Sequence, residues 1–245
     1  HHDVTHDGLG DTEGRLVAKE AGTVAGLDAA RAVFSYLDCD PTLRVGVGDP
    51  IEPGDVLLEV AGPARKLLRG ERVAVNIVGH ASGIATKTAA AVDAARTVAD
   101  DTVIAGTRKT TPGLRGVEKR AVAAGGGDTH RLDLSHMVMV KDNHVAEMGL
   151  EGAISHFSYR ASFATKLDVE VENVEDAPRA AEFGADIVLL DNMTPDETER
   201  AVELVAGTDG ETLTEASGSI TVETVPHYAG TGVDIISMGS LTHSA

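Results

Sequence analysis

The sequence is poor in the residues that build disulfides, membrane-spanning helices and nucleic-acid-binding surfaces. Its 245 residues include one cysteine, Cys39, which excludes an internal disulfide and a metal site built from cysteines. No apolar run approaches the roughly 18 residues that span a bilayer, and no apolar leader is visible. The net charge is −18, from 39 acidic and 21 basic residues, which argues against non-specific nucleic-acid binding. These absences favour a cytoplasmic globular protein of one or two domains.

Lysine and large aromatic residues are also scarce. Seven of the 21 basic residues are lysine, and the chain has no Trp, three Tyr and four Phe. An acidic, lysine-poor surface suits concentrated salt, because screening weakens its self-repulsion. We therefore expect a salt-adapted source, with an ordinary acidic protein as the alternative. The chain starts at His1 without methionine, and its last residues, Leu241–Ala245, follow directly on an apolar run. We interpret the chain as trimmed.

The first 80 or so residues combine short strand-like runs with amphipathic helices. Between Leu27 and Leu37 the apolar residues recur on one helix face, which predicts a helix. A longer helix is predicted from Glu71 to Ala99, with Gly79 and Gly83 as interruptions. The predicted strands are Arg15–Ala18, Val45–Val47 and Val56–Val60. Together these elements indicate a small α+β unit.

From residue 102 onward, short β-rich runs alternate with helical patterns. Strands that alternate with helices indicate parallel βα units, as in a barrel or a doubly wound sheet. Six strands are fewer than the eight of a closed barrel. The predicted strands are Thr102–Ala105, Met137–Val140, Leu167–Val171, Asp186–Leu190, Thr212–Ala216 and Asp234–Met238, and the predicted helices are Leu114–Ala124, Ala177–Phe183 and Pro195–Val205.

Polar, charged or glycine residues lie near the end of each of the six predicted strands or directly after it. The carboxyl ends of parallel strands lie at one edge of a sheet, so these residues are expected to meet at one face, where such folds keep their sites. One such strand end would indicate only a loop, whereas six together indicate a site. The residues are, in strand order, Thr107, Arg108 and Lys109; Lys141; Glu170 and Glu172; Asp191; Ser217, Gly218 and Ser219; and Met238, Gly239 and Ser240.

Basic residues are concentrated between Arg108 and Lys141. This stretch holds seven basic and three acidic residues in a chain that is acidic as a whole. A solvated helix face explains Lys119 and Arg120. It does not explain the four basic residues that fall at predicted strand ends or loops: Arg108, Lys109, Arg131 and Lys141. Arginine binds carboxylate or phosphate through a two-pronged fork. The cluster therefore indicates a small polyanionic substrate.

Two carboxylates and two glycine loops extend the candidate anion site. Glu170 and Asp191 lie at neighbouring strand ends and could hold Mg²⁺. Glu172 could replace Glu170, and a pair of solvated acids is the alternative. Glycine-containing loops after the last two strands are where barrels bind a phosphate. His130, beside Arg131 and after three consecutive glycines, is a candidate hydrogen-bond donor to an anion.

Nine short sequence motifs, taken in chain order, together carry a resemblance to one family. They are Glu71–Asn76, Ser82–Thr86, Thr107–Arg115, Gly125–Arg131, Val140–His144, Glu170–Glu172, Leu189–Met193, Glu215–Gly218 and Gly239–Ser244. In combination they resemble the quinolinate phosphoribosyltransferase family, also called nicotinate-nucleotide pyrophosphorylase (carboxylating). The resemblance covers nearly the whole chain. It implies an α/β fold, with an N-terminal α/β sandwich over residues 1–80 and an incomplete, six- to seven-stranded parallel α/β barrel over residues 81–245.

The resemblance also implies a reaction and its residues. Quinolinate and phosphoribosyl pyrophosphate, which carries Mg²⁺, would give nicotinate mononucleotide, pyrophosphate and CO₂ in NAD biosynthesis. The implied quinolinate contacts are Arg72, Thr107, Arg108, Lys109, His130 and Arg131. The implied phosphoribosyl pyrophosphate contacts are Lys141, Glu170, Asp191, Ser217, Gly218, Ser219, Met238, Gly239, Ser240 and His243. The implied catalytic residues are Lys109, Lys141, Glu170 and Asp191, of which Glu170 and Asp191 would hold the metal.

In this family the counterpart of Arg72 reaches the active site of the neighbouring subunit. The resemblance therefore implies a homodimer with shared sites, or a hexamer built from three dimers.

Three departures and two alternatives accompany the resemblance. Ser219 stands where the family usually has glycine, and the segments expected before His1 and after Ala245 are missing. One alternative is a paralogue of the same fold that acts on another base, such as a molybdenum-locus homologue, which a lost arginine would favour. The other is a non-catalytic phosphate-binding module, which missing metal carboxylates would favour. All of these arginines and carboxylates are present in the sequence.

Overall fold

A computed structural model describes residues 10–244 of the chain, and these residues pack into two compact units. The first unit comprises residues up to 89 together with 116–126, and the second comprises residues 90–115 and 127–244. The predicted domain division after residue 80 stays a prediction, and the interpretation of the chain ends concerns residues outside the described range. Within residues 10–244, no helix combines the length and apolar character needed to cross a membrane.

The first unit is built on a three-stranded antiparallel sheet with its longest strand in the centre. Its strands are β1 (Asp11–Val17), β2 (Gly22–Thr23), β3 (Asp40–Leu43), β4 (Pro50–Ile51) and β5 (Val56–Pro63). The order is β1-β5-β3, and β2 pairs with β4 separately. Helix α1 (Leu27–Tyr36) buries Leu27, Ala30 and Phe34 in the same core as the apolar residues of β5. The predicted helix over Leu27–Leu37 is therefore confirmed.

The strand expected at Val45–Val47 is absent from the structure. The chain turns there instead, because Asp49 accepts a hydrogen bond from the backbone N–H of Gly46 at 2.7 Å. Gly48 adopts a left-handed φ of 91°, which an L-residue with a Cβ rarely does. Two glycines and an aspartate in five residues therefore make a turn, and the two valines between them are too few to override it.

Helix α2 (Ala64–Arg96) is continuous over 33 residues, so the interruptions expected at Gly79 and Gly83 are wrong. Its buried residues recur every three to four positions without a break across both glycines: Ala74, Val78, Ala81, Ala85, Thr88, Val92 and Ala95. A glycine inside a helix costs only about 1 kcal/mol relative to alanine. Packing along one whole helix face outweighs that cost.

The second unit contains a parallel sheet of six strands, which agrees with the predicted α/β class and incomplete barrel. Its strands are β6 (Val103–Gly106), β7 (Val138–Val140), β8 (Leu167–Val171), β9 (Ile187–Asp191), β10 (Leu213–Ser217) and β11 (Ile235–Met238). The order is β6-β11-β10-β9-β8-β7, and every neighbouring pair is parallel. Asp128 adds a single parallel bridge beside Ala105 of β6. The sheet remains open between its two edges.

Seven further helices follow in chain order. They are α3 (Arg115–Ala124), α4 (Asp142–Met148), α5 (Leu150–Arg160), α6 (Asp176–Glu182), α7 (Pro195–Ala206), α8 (Val225–Ala229) and α9 (Ser240–His243). The predicted start of α7 is confirmed, because Thr194 and Glu197 cap it reciprocally around Pro195. Helices α4 and α5 fill the gap between β7 and β8, where no helix was predicted.

Helix α3 corrects one assignment from the sequence. Lys119 was expected on a solvated face, yet it is almost fully buried, whereas Arg120 is exposed as expected. Residues 116–126 belong to the first unit, and the helix ends at Ala124. A Cβ added at the following Gly125 would lie 2.4 Å from the carbonyl oxygen of Ala85. Its neighbour Glu118 is also buried, and the His80 Nε2 atom lies 2.9 Å from its Oε1.

The parallel sheet has two chemically different faces. Successive side chains along a strand point to opposite sides. Val169, Val171, Val188 and Leu190 lie on the face that packs with helices in an apolar cluster. The opposite face carries polar and charged residues inside the strands, namely Asp168, Glu170, Glu215 and Ser237, and Ser217 at the end of β10. Buried parallel strands are usually apolar on both faces, so the polar face marks the position of a site.

Candidate active site

The predicted site residues of the second unit lie at the carboxyl ends of its strands, as expected. Thr107, Arg108 and Lys109 follow β6, Lys141 follows β7, and Glu170 lies within β8. Asp191 and Ser217 are the last residues of β9 and β10, and Met238 is the last residue of β11. Across the sheet, Glu170 lies opposite Leu189, and Leu189 lies opposite Glu215. One row of the polar face therefore carries a carboxylate on each side of Leu189.

Lys141 and Glu170 form an ion pair on neighbouring strands. The Lys141 Nζ atom lies 2.5 Å from Glu170 Oε2. Lys141 is the residue before α4, and its backbone N–H donates to the Nδ1 atom of His144 at 3.1 Å. The Lys-Asp-Asn-His string therefore has a local structural reason, because His144 caps the helix that fixes the backbone of Lys141.

The loops after β9 and β10 meet through tight backbone contacts. The N–H of Asn192 donates to the carbonyl oxygen of Ser217 at 2.9 Å, and its side-chain amide donates to Asp191 Oδ2 at 2.8 Å. Gly218 has a φ of 102°, and a Cβ added there would lie 2.2 Å from the Asn192 Oδ1 atom. Ser219 adopts a φ of 50°. The glycine that the resemblance leads us to expect at position 219 would suit this left-handed region, and serine adopts the same region here.

Gly218→Ala is expected to lower the thermal midpoint by at least roughly 4 °C, since the substitution combines a positive φ with a steric clash. Ser219→Gly is the matched control one residue away, and it should leave the midpoint unchanged or raise it. Thermal unfolding followed by circular dichroism measures both. Equal midpoints for Gly218→Ala and the wild type would contradict the contact.

The loops after β6 and β11 also lie side by side. The Oγ1 hydroxyl of Thr242 donates to the carbonyl oxygen of Lys109 at 2.6 Å. A Cβ added at Gly239 would lie 2.9 Å from Lys109 Cδ and 3.3 Å from the imidazole of His243. Gly239 therefore keeps the backbone open between a lysine and a histidine, and Ser240 begins α9 next to it. This arrangement suits a group with several anionic oxygens.

Arg108 and Arg131 place two guanidinium groups near the buried carboxylates. Arg131 is almost fully buried and lies within 3.5 Å of the Met137 carbonyl oxygen and 3.1 Å of Met139 Sδ. Burial, and next the charge of Arg108, lower the pKa of Arg131, which acidic neighbours partly offset. The Nε atom of Arg108 is buried and has no hydrogen-bond partner within residues 10–244. An arginine with a buried unsatisfied N–H is poised to bind an anion.

Two buried carboxylates, Asp168 and Glu215, were not among the predicted site residues. Both are almost completely buried on the polar face of the sheet. The His130 Nε2 atom lies 3.0 Å from Glu215 Oε2. Neither oxygen of Asp168 has a hydrogen-bond partner among the described residues. Burial, and then the charge of Glu215, raise the pKa of Asp168 to about 8. The sequence did contain a signal for Asp168. Residues two positions apart on a strand point to the same face, so Asp168 lies on the same face as Glu170.

The shifted carboxyl group predicts an unusual pH dependence of stability. Asp168 has a higher pKa in the folded chain than the ordinary 3.8. Between about pH 4 and 8 the folded chain therefore binds more protons than the unfolded chain, and Asp168 makes stability fall as the pH rises through this window. Asp168→Asn is expected to raise the thermal midpoint at pH 8.5 by at least roughly 3 °C and to change it little at pH 5.

The matched control for this prediction is Asp209→Asn, which removes an exposed loop carboxylate. Its midpoint should follow that of the wild type at both pH values. Thermal midpoints that differ equally at pH 5 and pH 8.5 for Asp168→Asn would show that packing, and not ionisation, causes the change.

Three predicted site residues remain: Arg72, and the two proposed metal ligands Glu170 and Asp191. Arg72 lies exposed on α2 in the first unit, and its predicted role in a neighbouring subunit stays a prediction. Glu170 and Asp191 lie on the same face of neighbouring strands, and carboxylate oxygens are suitable Mg²⁺ ligands. Glu170 also pairs with Lys141, so a cation there would compete with an ammonium group. The donor set fits Mg²⁺.

The chain matches known proteins over nearly its full length. Two family profiles match, described as the N-terminal domain of quinolinate phosphoribosyl transferase over residues 3–82 and its C-terminal domain over residues 84–245. A protein of Archaeoglobus fulgidus, named probable nicotinate-nucleotide pyrophosphorylase (carboxylating), is 46% identical over 246 residues, which cover 99% of this chain and 94% of that protein. The nicotinate-nucleotide pyrophosphorylase (carboxylating) of Homo sapiens is 44% identical over 239 residues, covering 97% of this chain and 80% of that protein.

Solved structures show the same similarity. The crystal structure of NadC from Streptococcus pyogenes superimposes with a TM-score of 0.91 at 42% identity, covering 99% of this chain and 85% of that one. The nicotinate-nucleotide pyrophosphorylase of Francisella tularensis gives a TM-score of 0.87 at 32% identity, covering 95% and 82%.

Proposed function

The chain belongs to the quinolinate phosphoribosyltransferase family, as its motifs predicted, and on this premise we propose that it joins quinolinate to phosphoribosyl pyrophosphate. The products are nicotinate mononucleotide, pyrophosphate and CO₂. The observation that carries the proposal is the meeting of Arg108, Arg131 and Lys141 at one end of a parallel sheet, in a chain of net charge −18. An acidic protein that binds two polyanions needs such a local positive field.

We assign the quinolinate dianion to the arginine side of this cluster. The buried, unpartnered Nε of Arg108 offers a directed donor, and Arg131 adds a second guanidinium. Thr107 accepts a hydrogen bond from the backbone N–H of Lys109 at 3.1 Å, which shapes the loop between them. His130 supplies a third donor type. Two carboxylates bound by forked guanidinium groups fix the plane of the pyridine ring.

We assign phosphoribosyl pyrophosphate to the other strand ends. The glycine loops at Gly218 and Gly239 would hold its 5′-phosphate on backbone N–H groups. Lys109 and Lys141 would face the pyrophosphate, and Glu170 and Asp191 would bind the ribose hydroxyls. Serine side chains line both glycine loops, and the His243 imidazole lies beside Gly239. Mg²⁺, held by Asp191 and Glu170, would neutralise charge on the leaving pyrophosphate when bound.

The chemistry needs positioning and electrostatic stabilisation, and it needs no protein nucleophile. The pyridine nitrogen attacks the anomeric carbon as the bond to pyrophosphate breaks, and positive charge develops on the ribose ring. Carboxylates near the ribose stabilise that charge, and lysines stabilise the departing anion. As the C–CO₂ bond breaks, its electron pair stays on the ring carbon, where the adjacent pyridinium nitrogen stabilises it. A proton from solvent then takes the place of the lost carboxyl group and gives nicotinate mononucleotide.

The working assembly is proposed to be a homodimer, or a hexamer built from three dimers, in which Arg72 completes the partner's site. We propose that the enzyme works in the cytoplasm, because its proposed substrates are soluble small molecules. The salt-adapted source stays a prediction from composition. One assay tests the function itself: quinolinate-dependent formation of nicotinate mononucleotide with Mg²⁺ and phosphoribosyl pyrophosphate. No product under these conditions would refute the proposal.

Arg108→Lys is expected to lower kcat/KM for quinolinate at least about tenfold, because an ammonium group cannot replace a two-pronged fork. Steady-state kinetics on the purified variant measures this. The matched control is Arg120→Lys, which changes an exposed arginine of α3 and should leave kcat/KM as in the wild type. Unchanged kinetics for Arg108→Lys would remove Arg108 from the substrate site.

A further inference from the structure

Arg131 is a buried cation whose hydrogen-bond acceptors are weak. Its Nη2 atom lies 3.1 Å from the Met139 Sδ atom, and its Nη1 atom lies 3.5 Å from the carbonyl oxygen of Met137. A thioether is a weak acceptor, and 3.5 Å is longer than a usual N–H···O bond. Within residues 10–244, Arg131 forms no ion pair with a carboxylate. A buried arginine normally has such a partner, so the position of this guanidinium group needs an explanation.

A suitable carboxyl group lies close by on the neighbouring strand. Asp168 of β8 is the register partner of Met139 on β7, so their side chains lie next to each other on the polar face. Burial, and next the charge of Arg108, lower the pKa of Arg131, and Asp168 is the strongest of the acidic residues that raise it. Even so, neither oxygen of Asp168 has a hydrogen-bond partner among the described residues. Two buried groups that could pair directly therefore stay apart.

The side chain of Met139 accounts for this separation. Its sulfur atom contacts the guanidinium group, and its chain stands beside the side chain of Asp168. Methionine is long, unbranched and flexible, so it can fill the irregular space that a direct ion pair would occupy. Burial, and then the charge of Glu215, raise the pKa of Asp168 to about 8, which agrees with a carboxyl group that receives no hydrogen bond from a guanidinium group.

We propose that Met139 is a positioning residue that keeps Arg131 apart from Asp168, so that the guanidinium group stays available for a carboxylate of the substrate. The inference rests on the proposed function, and it assigns a role to a residue that acts through Arg131. A direct pair of Arg131 and Asp168 would have to break whenever the substrate binds, whereas a thioether gives up a guanidinium N–H easily. Met139 thereby prevents a competing ion pair inside the site.

The test is a double-mutant cycle on quinolinate binding, measured by calorimetry near neutral pH. Met139→Ala removes the spacing side chain, and we expect it to weaken binding at least about tenfold, because Arg131 can then reach Asp168. In a chain that already carries Asp168→Val, which removes both carboxylate oxygens, the same Met139→Ala change should alter the dissociation constant less than about threefold. Equal weakening in the two backgrounds would show that Met139 only packs against its neighbours, and that result would overturn the proposal.

Further variants separate the spacing from the chemistry of the sulfur atom. Met139→Leu nearly conserves the volume and has no acceptor, and it should bind quinolinate within about threefold of the wild type. A loss of about tenfold in Met139→Leu would show that the sulfur itself is required, and would overturn the spacing role. The matched control Met148→Ala truncates an exposed methionine of α4 and should leave binding unchanged. If circular dichroism shows that Met139→Ala does not fold, Met139→Val takes its place, since a β-branched residue suits a strand.

Steady-state kinetics gives a readout that a loss of packing alone would not produce. The pair of Arg131 and Asp168 would form only in the enzyme without quinolinate. In Met139→Ala the KM for quinolinate should therefore rise at least about tenfold, while kcat stays within about threefold of the wild type. A lower kcat with an unchanged KM would place Met139 in the chemical step, and that result would overturn the proposal.

A crystal structure of Met139→Ala without substrate separates this inference from the proposed function. It should show a guanidinium nitrogen of Arg131 within hydrogen-bond distance of a carboxylate oxygen of Asp168. If quinolinate fails to bind the wild type, the proposed function fails, while this structure still decides the role of Met139. An Arg131 side chain that keeps its position and leaves Asp168 without a partner would overturn the inference.

Discussion

Nicotinate, which carries one carboxylate where quinolinate carries two, is expected to react with a kcat/KM at least about a hundredfold lower. The reason lies in the donors that the missing carboxylate would leave unpaired. Arg131 is almost fully buried, and the Arg108 Nε atom has no partner among the described residues. A buried charged donor without an acceptor costs several kcal/mol, so sites built to bind a polar group reject analogues that lack it.

The measurement is the formation of nicotinate mononucleotide from each substrate at equal phosphoribosyl pyrophosphate concentration. Because nicotinate needs no decarboxylation, slow product formation from it reports on binding and transfer alone. The matched control is Arg108→Ala. In this variant the ratio of kcat/KM for quinolinate to kcat/KM for nicotinate should fall, since one donor to a carboxylate is gone. Equal turnover of the two substrates by the wild type would show that the arginine cluster does not bind two carboxylates.

Mixing two inactive variants, Arg72→Ala and Lys141→Ala, is expected to restore activity to about a quarter of the wild-type value. Each variant alone should retain about a hundredth or less, since each lacks a cation that faces an anionic substrate. If Arg72 serves the partner's site, a mixed dimer has one site with both lesions and one with neither. Random mixing makes half of the dimers mixed, and half of their sites are intact.

The matched control combines Lys141→Ala with Asp191→Asn, two lesions that both lie in the second unit. Every site of that mixed dimer carries one lesion, so no activity should return. Subunit exchange is verified with chains that carry different affinity tags. A mixture of Arg72→Ala and Lys141→Ala that stays inactive despite exchange would place Arg72 in its own subunit's site.

The parallel half of the fold was readable from the sequence because its elements are short and sharply bounded. The strand predicted at Leu167–Val171 has those bounds in the structure. The helix predicted from Pro195 starts there because its cap is local in sequence. Helix α4 was missed for the opposite reason: it buries no residue, so it leaves no apolar period to detect. Helix α5 does bury Leu150, Ala153 and Ile154 at helical spacing, so a signal for it was present in the sequence.

The sequence predicted the site residues that lie at strand ends, but not the contacts between residues far apart in the chain. Strand ends placed Lys141, Glu170 and Asp191 near one another, because parallel strands share an edge. The pair of His130 and Glu215 could not be predicted, since 85 residues separate its members. Asp168 was missed because charged residues are rarely buried without a partner. Such exceptions to the usual rules arise where function competes with stability.

The two faces of the parallel sheet divide the work of the second unit. The valine and leucine side chains of β8 and β9 lie in the apolar layer with the helices, whereas the carboxylates of the same strands lie on the other face. Amide hydrogens of these strands should exchange slowly, because the packing of the apolar face against the helices opposes local opening of the strands. The packing that holds these strands in place therefore does not depend on the side chains of the polar face. Over evolutionary time it can change its side chains, and with them the substrate, while the scaffold beneath it persists.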